Sequence, residues 1–414
     1  MKFYSQYFTL LPKIAWRNIG RNKGRSFLVI GSVTIGIWAL IFLLAFVRGT
    51  INGYIADAIR NQTSHLQIHH PEFLDDREIQ YTIPQSSNIV NRLAAMPQTR
   101  AVSARILINA MVSTAHGARG LQITGVDPVQ EARVTGIADR IVEGSFFNED
   151  GRNEIVLSRR IANKLNIGLR KKVVLTFQNA DFEITTAAFR VTGIFESKNK
   201  MIDEIIAYTR STEMLTLAEL SEDVSHEIAI LLSDVDSTDA IQTAIKQSVP
   251  GMKVRTFREI SPDLDLFDSQ IRLNMVIMTA IIMLALIFGI VNTMLMAVLE
   301  RIRELGMLMA IGMTRIRVFL MIVWETVFVA VIGAPVGMLL GHLTIRSLYK
   351  TGIDLSMWAS GLEQFGMSTI VRPELEQDAY LFIAIAIIIT ALLASMYPSL
   401  KATRLKPVDA LRKI

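Results

Sequence analysis

At 414 residues, with 51% hydrophobic and 20% charged side chains, the chain is too apolar for an ordinary pair of soluble domains. A formal charge of +5 is too small to argue for nucleic acid as a partner. The absence of cysteine excludes disulfides, thiolate metal sites and cysteine nucleophiles.

Residues 1–26 are basic, with Lys2, Lys13, Arg17, Arg21, Lys23 and Arg25 and no acid. Phe8, Leu10, Leu11, Ile14, Trp16 and Ile19 form an apolar set, which suits a helix lying along the inner leaflet. The same charges also serve to set topology. Phe27–Val47 follows as TM1, 21 residues without a charge and enough to cross a hydrocarbon core. It is too long for a signal-peptide core and no A-x-A-like site follows, so a retained helix is expected rather than a cleaved leader. Between Val47 and Gln62 the chain can stay helical, as a stalk leaving the bilayer.

Residues 48–272 form the extracytoplasmic domain. Its two ends look alike. Ser64–His69 reads as a strand, Ser87–Met96 as a helix and Arg100–Ile108 as a strand; then His226–Leu232, Ser237–Val249 and Met252–Ile260 repeat the order. Each helix stops at a residue preceding proline, Met96 or Val249, where helix is disfavoured. The two units, about 60–108 and 211–262, are expected to pack as one α/β subdomain. About 109–210 reads as a β-rich insertion, clearest in the strands 172–177 and 188–195 on either side of Asn179-Ala-Asp, with a short helix over Ser158–Leu165.

TM2 (273–299) is 27 residues, roughly 40 Å, and overshoots the bilayer core. A short charged segment, 300–317, then leads into TM3 (318–345), a 28-residue run whose one acid is Glu325. An intramembrane carboxylate is costly and needs a reason. Glu325 lies eight residues past Arg317, about 12 Å along a helix, so a structural polar contact is favoured over a proton relay. Gly333, Gly337 and Gly341 share one face of TM3 and allow close helix approach, either within the chain or at a subunit interface. Pro335 should kink the span. Residues 346–378 form a second outer loop, 379–397 form TM4, and 398–414 the tail.

The fold class is therefore an α-helical membrane protein with four transmembrane helices plus a large α+β extracytoplasmic domain, a βαβ-type porter subdomain with a β-rich insertion. Basic residues set its orientation. The N-terminal segment, Arg301, Arg303, Arg315 and Arg317, and Lys401, Arg404, Lys406, Arg412 and Lys413 mark cytoplasmic ends, whereas 346–378 has three basic residues against five acids.

Catalytic signals are missing. Gly20-Arg-Asn-Lys-Gly24-Arg-Ser26 has the wrong spacing for a phosphate loop. His65, His69 and His70 lie in a strand-like stretch without the carboxylate spacing of a zinc site, His226-Glu227 lacks a second histidine, and no nucleophile triad assembles. No catalytic or metal residue is assigned and no cofactor is expected on this chain.

The cytoplasmic face carries the specific motifs. Glu300-Arg301-Ile302-Arg303-Glu304-Leu305-Gly306-Met307-Leu308-Met309-Ala310-Ile311-Gly312 resembles the E-R-x-R-E-[IL]-G-x-x-x-A-[IL]-G signature of the FtsX/MacB/LolCE permease superfamily, the type VII ABC transporters. Ile14-Ala-Trp-Arg-Asn-Ile-Gly-Arg-Asn-Lys-Gly-Arg-Ser26 resembles its leading segment. Tyr397-Pro398-Ser399-Leu400-Lys401-Ala402-Thr403-Arg404 with Lys406-Pro407-Val408-Asp409-Ala410-Leu411-Arg412 resembles its closing one. Three motifs in family order make the resemblance whole-chain.

The resemblance implies that 300–317 is a coupling helix seated in a groove of an ABC ATPase, with Glu300, Arg301, Arg303, Glu304, Gly306 and Gly312 as its coupling residues. Independently, the three-residue spacing of Glu300 and Arg303 permits a local ion pair. The resemblance further implies two copies of a separate ATPase that holds the ATP and Mg, a second permease, identical or homologous, and an inner-membrane setting in bacteria with contacts to membrane lipid. The mechanism implied is mechanotransmission: ATP-driven motion below the membrane is felt by the domain above it. An outer domain near 220 residues, the long 346–378 loop and the strings Val126-Asp-Pro128, Ile155-Val-Leu-Ser158, Leu165-Asn-Ile-Gly168 and Val191-Thr-Gly-Ile194 place the chain nearest the lipoprotein-releasing LolC/LolE-type and MacB-like permeases. Lipoprotein release is thus the leading expectation. The alternatives are export of other periplasmic substrates, FtsX-like control of a cell-wall hydrolase, and a freestanding membrane enzyme or receptor. The hairpin at 173–195 is short and lacks a proline-bearing tip, so recruitment of a periplasmic carrier through it is not expected.

Overall fold

The apolar runs become long helices because in lipid each backbone N–H must be satisfied within its own segment. The computed structural model describes residues 2–21, 23–148, 151–197, 199–200, 202–235, 237–364 and 367–404. Its principal helices are α1 (Lys2–Arg21), α2 (Lys23–Ala58), α3 (Ser86–Ala94), α4 (Pro128–Thr135), α5 (Thr238–Ser248), α6 (Pro262–Glu300), α7 (Ile302–Ala310), α8 (Arg315–Thr351) and α9 (Gln377–Thr403). Four of them, α2, α6, α8 and α9, are long and apolar enough to cross a membrane. The closing motif from Lys406 to Arg412 lies outside the described residues.

The chain divides into a helical unit (residues 1–50, 269–353 and 371–414) and a sheet unit (residues 51–268 and 354–370). Both divisions between TM1 or TM2 and the sheet unit fall inside unbroken helices, α2 of 36 residues and α6 of 39. At 1.5 Å per residue these are roughly 54 and 58 Å long, well beyond a core of about 30 Å.

In the helical unit, α8 packs along α9 and against α1. Ile37, Leu40 and Ile41 of α2, Val318 and Ile322 of α8, and Ile383, Ile387 and Ala391 of α9 form the buried centre. Pro335 is carried within α8 without ending it. Where α9 begins, Arg48 Nη2 meets Glu376 Oε1 at 2.5 Å.

The sheet unit holds a ten-stranded sheet of β1 (Leu66–His69), β2 (Thr99–Thr114), β3 (Gly117–Val126), β4 (Ile141–Gly144), β5 (Glu154–Ser158), β6 (Lys172–Gln178), β7 (Ile184–Phe195), β8 (Ile206–Arg210), β9 (Glu227–Leu232) and β10 (Lys253–Thr256). Its order is β10-β1-β9-β2-β3-β8-β5-β7-β4, with β6 pairing both β2 and β7. The strands of the two similar end units interleave. β1 is antiparallel to β9 and β9 to β2, so β1 and β2 run parallel with a strand of the other unit between them. Neither unit could complete this sheet alone.

Alternation along β9 decides which face each helix covers. Ile228, Ile230 and Leu232 meet Ile89, Val90 and Leu93 of α3 and Ile241 and Ile245 of α5. Ala229 and Leu231 meet Ala58, Ile59 and Leu264, so the ends of α2 and α6 that belong to this unit lie on the opposite face. Tyr54 and Phe267 touch there with ring centroids 5.6 Å apart.

Two expectations are corrected. The strand expected over Met252–Ile260 stops at Thr256, because Thr256 Oγ1 accepts from Glu259 N while Glu259 Oε2 accepts from Thr256 N, a reciprocal cap that starts a helical turn over Phe257–Ile260. The boundary expected at 108/109 falls inside β2, which runs on to Thr114. Its second half pairs with β3 and β6, and the circuit β2-β3-β8-β5-β7-β6-β2 closes a six-stranded ring. Ile108, Ala110, Val112, Leu175, Phe189 and Val191 are among the residues that fill its core.

Candidate functional site

The motif-bearing end of the helical unit is built from four segments. The α6 ladder ends at Glu300, and Arg301 leaves helical geometry with φ −101° and ψ 18°. The chain resumes as α7 and stops at Gly312, whose φ of +108° a side-chain-bearing residue rarely adopts. Nothing lies within 4 Å of a Cβ placed there, so the glycine serves the turn rather than a tight contact. The N–H groups of Ile311, Gly312 and Met313 bond back to the carbonyls of Met307, Met309 and Leu308, which closes the helix before α8 begins.

This geometry splits the six residues singled out in the sequence. Glu300, Arg303, Glu304 and Gly312 are exposed, while Gly306 is buried beside Leu305. Arg301 is buried at 8% exposure. Its Nη1 donates to Glu325 Oε1 at 3.1 Å and to Oε2 at 3.5 Å, and its Nη2 donates to the Asn18 carbonyl at 3.2 Å. Of the six, Arg301 is thus the one whose charge is turned inward: a buried guanidinium must be paired, and the lone acid of TM3 pairs it. Glu325 has a structural polar contact, at 7% exposure.

α1 completes the site. Leu11, Ala15 and Ile19, spaced by four, are buried, whereas Lys13, Trp16 and Arg17 are exposed. The side chains of Phe8 and Leu10 lie outside the described residues. Arg21 pairs with Glu304 where both are about half exposed, and Asn18 Nδ2 approaches Met321 Sδ at 4.0 Å. Between these segments lies a half-open cavity of about 330 Å³, lined by Ile14, Asn18, Met294, Arg301, Met307 and Glu325 among others.

The glycine stripe of α8 faces α2 of the same chain. A Cβ on Gly333, Gly337 or Gly341 would come within 3.0 Å of Ile30 O, 2.7 Å of Thr34 O or 2.7 Å of Ile41 Cγ2. Thr34 Oγ1 donates to Gly333 O at 3.1 Å, and Trp38 Nε1 to Thr344 Oγ1 at 3.1 Å. Of the two roles left open for the stripe, this is packing within the chain.

The histidines are held by the sheet unit. His65 Nδ1 accepts from Leu232 N at 3.0 Å. His69 Nδ1 donates to His226 O at 3.1 Å, and Phe73 stacks between the His69 and His226 rings. His226 Nδ1 accepts from Leu107 N and its Nε2 donates to Ile79 O. His70 stacks on Tyr81. Burial pushes His65 and His226 down to about 4 and also lowers His69. Beside them Arg105 reaches Glu131 with two bonds of 2.8 and 2.9 Å and Glu227 with one of 2.6 Å, all three groups buried. Among the described residues, no three His, Asp or Glu side chains converge as a metal-binding set.

The comparisons with known proteins agree with the motif-bearing end. Residues 26–248 match the family model described as the MacB-like periplasmic core domain, and residues 276–407 match the FtsX-like permease C-terminal model. The chain belongs to the MacB/FtsX family of ABC transporter permeases. This permease is 23% identical over 415 residues to the lipoprotein-releasing system transmembrane protein LolE of Haemophilus influenzae, covering 96% of the chain and 98% of that relative. It is 22% identical over 417 residues to the corresponding LolC of Neisseria meningitidis, covering 95% of each. With the macrolide export ATP-binding/permease protein MacB of Nitrobacter winogradskyi it shares 23% identity over 424 residues, 96% of the chain but 59% of that longer relative. The permease's buried Arg301–Glu325 pair escaped the sequence reading, although a signal existed. The one acid in a 28-residue apolar run required a partner, and Arg301 is the first base after TM2.

Proposed function

We propose that this permease couples ATP hydrolysis on a separate ABC ATPase to a conformational change in its sheet unit, and that the work performed is release of lipoproteins from the inner membrane. The observation that carries the reading is the exposed charged face of α7, joined through one residue to a helix of 39 residues that continues into the sheet unit. A helix that long and unbroken is stiff enough to carry a push along its axis. In this arrangement both termini and 300–317 are cytoplasmic and the sheet unit is periplasmic. Two ATPase copies serve two permeases, identical or homologous, and the ATP and Mg belong to the ATPase.

Lipoprotein cargo is favoured because the lipoprotein-releasing relatives match this chain over almost their whole length, whereas the macrolide-export relative extends well beyond the match. The β6–β7 hairpin turns within residues 179–183 and offers no long arm for a periplasmic carrier. The cargo is then handed on without that hook.

The test is co-purification in mild detergent. Glu304→Lys and Gly306→Trp are expected to lose the ATPase while insertion persists, and unchanged association and turnover in both would sink the coupling role. Recovery of lipoproteins with the wild-type complex checks the cargo, and labelling that finds Arg303 and Asp181 on one side of the membrane would defeat the orientation.

A further inference from the structure

The four arginines between TM2 and TM3 are not equivalent. Arg303 and Arg315 are exposed and Arg317 is half-buried, but Arg301 points inward from the break between α6 and α7. A guanidinium is a planar fork that can serve two acceptors at once, and here it holds a carboxylate of α8 and a backbone carbonyl of α1 together. Three segments of the helical unit thus meet at one side chain, at the residue where the ladder of α6 is interrupted.

The body of α7 is seated by Leu305, which belongs to the buried core, with Leu308 and Met309 packed against it. The half-open cavity beside it is walled partly by Met294, Met307 and Met321, and thioether side chains repack at low cost. At its far end Gly312 forms a turn with open space around it. A helix anchored by Arg301, bordered by a half-open methionine-lined cavity and ending at a glycine corner, can tilt as a lever.

We infer that Arg301 is a positioning residue, the pivot about which α7 tilts into the cavity when an ATPase presses on its exposed face. The inference rests on the coupling role proposed for α7 and adds to it a division of labour. Glu304 and its exposed neighbours meet the partner, and Arg301 converts that contact into rotation. Without the pivot, a push on α7 displaces the segment locally instead of moving α6 and α8.

The chain has no cysteine, so introduced pairs can be labelled cleanly. Spin labels at Ile311→Cys and Leu340→Cys, both exposed, report the distance between the end of α7 and the body of α8 in the complete complex with its ATPase. In the otherwise native background the distance is expected to shift between nucleotide-free and ATP–vanadate states by on the order of 5 Å, one helical turn. Arg301→Met and Arg301→Lys are expected to retain the ATPase but lose the shift, and the exchange Arg301→Glu with Glu325→Arg to restore it. Loss of the ATPase from Arg301→Met would make Arg301 a docking residue and overturn the pivot, as would an undiminished shift. If Arg301→Met does not accumulate, Glu325→Gln is read by the same two criteria. Glu304→Lys separates the readings: retention of both ATPase and shift in that variant defeats the coupling role itself, whatever Arg301 does.

Discussion

Two buried arginines, one in each unit, show how the same group is used for opposite ends. Arg105 in the sheet unit is saturated by Glu131 and Glu227 with three bonds of 2.6 to 2.9 Å. Arg301 in the helical unit has among its contacts the Glu325 carboxylate at 3.1 Å and the Asn18 carbonyl at 3.2 Å, next to a half-open cavity of about 330 Å³. Close contacts to two carboxylates on a strand and a helix fix Arg105 in one arrangement. In the pivot proposed above, Arg301 keeps its partners beside the cavity while its own segment turns. The charge is buried in both cases; what differs is the packing around it.

Breaking the first site should have the largest effect on stability. Arg105→Met leaves two carboxylates buried without their cation and is expected to cost about 3–5 kcal/mol, seen as rapid proteolysis of the sheet unit in the purified full chain. Acid attacks the same region more gradually. His65 and His226 stand at about 4 in the folded protein against 6.5 for the free group. The unfolded chain therefore takes up protons first, and stability falls progressively as pH drops from 6.5 towards 4. Asp203, raised by burial to about 6 from 3.8, acts in the other direction and returns part of that loss between pH 6 and 3.8. Pulse proteolysis at pH 7 and pH 4.5 measures the sum, and a sheet unit equally resistant at both would refute it.

In the helical unit, Gly337→Val places a side chain 2.7 Å from Thr34 O and 2.9 Å from Ile37 Cβ. Separation of α8 from α2 should cost about 1–3 kcal/mol, measurable as a lower denaturant midpoint in detergent. The smallest effect belongs to the exposed Arg21–Glu304 pair. Arg21→Ala should lower stability by no more than about 0.5 kcal/mol, and that small effect should fade further as salt is added, so a larger drop would show that α1 depends on that pair.

The spans and the short helix after TM2 were legible because each depends on local chemistry, and the turn at Gly312 could have been read in the same way. A long uncharged run has one stable form in lipid, and a helix needs a residue tolerant of positive φ to stop where Gly312 stops it. Less legible was the length of β2. Strand pairing is a long-range event, and nothing near Ile108 announces that the second half of the strand exchanges β9 for β6. The end of β10 at Thr256 could have been read from Thr256 and Glu259, whose spacing is that of a reciprocal cap.

By itself, the order of residues determined that this chain carries four membrane-spanning helices, an intervening α/β domain and the motifs of a MacB/FtsX permease. The spans and the α/β domain follow from composition and periodicity, and the family from the resemblance of three motifs. Only the tertiary structure decided that Gly333, Gly337 and Gly341 face α2 of the same chain, that the two end units interleave in one sheet, and that Arg301 turns away from solvent to Glu325. Each of these joins residues far apart in the chain, and which distant partner a side chain finds is settled by the packing of whole elements.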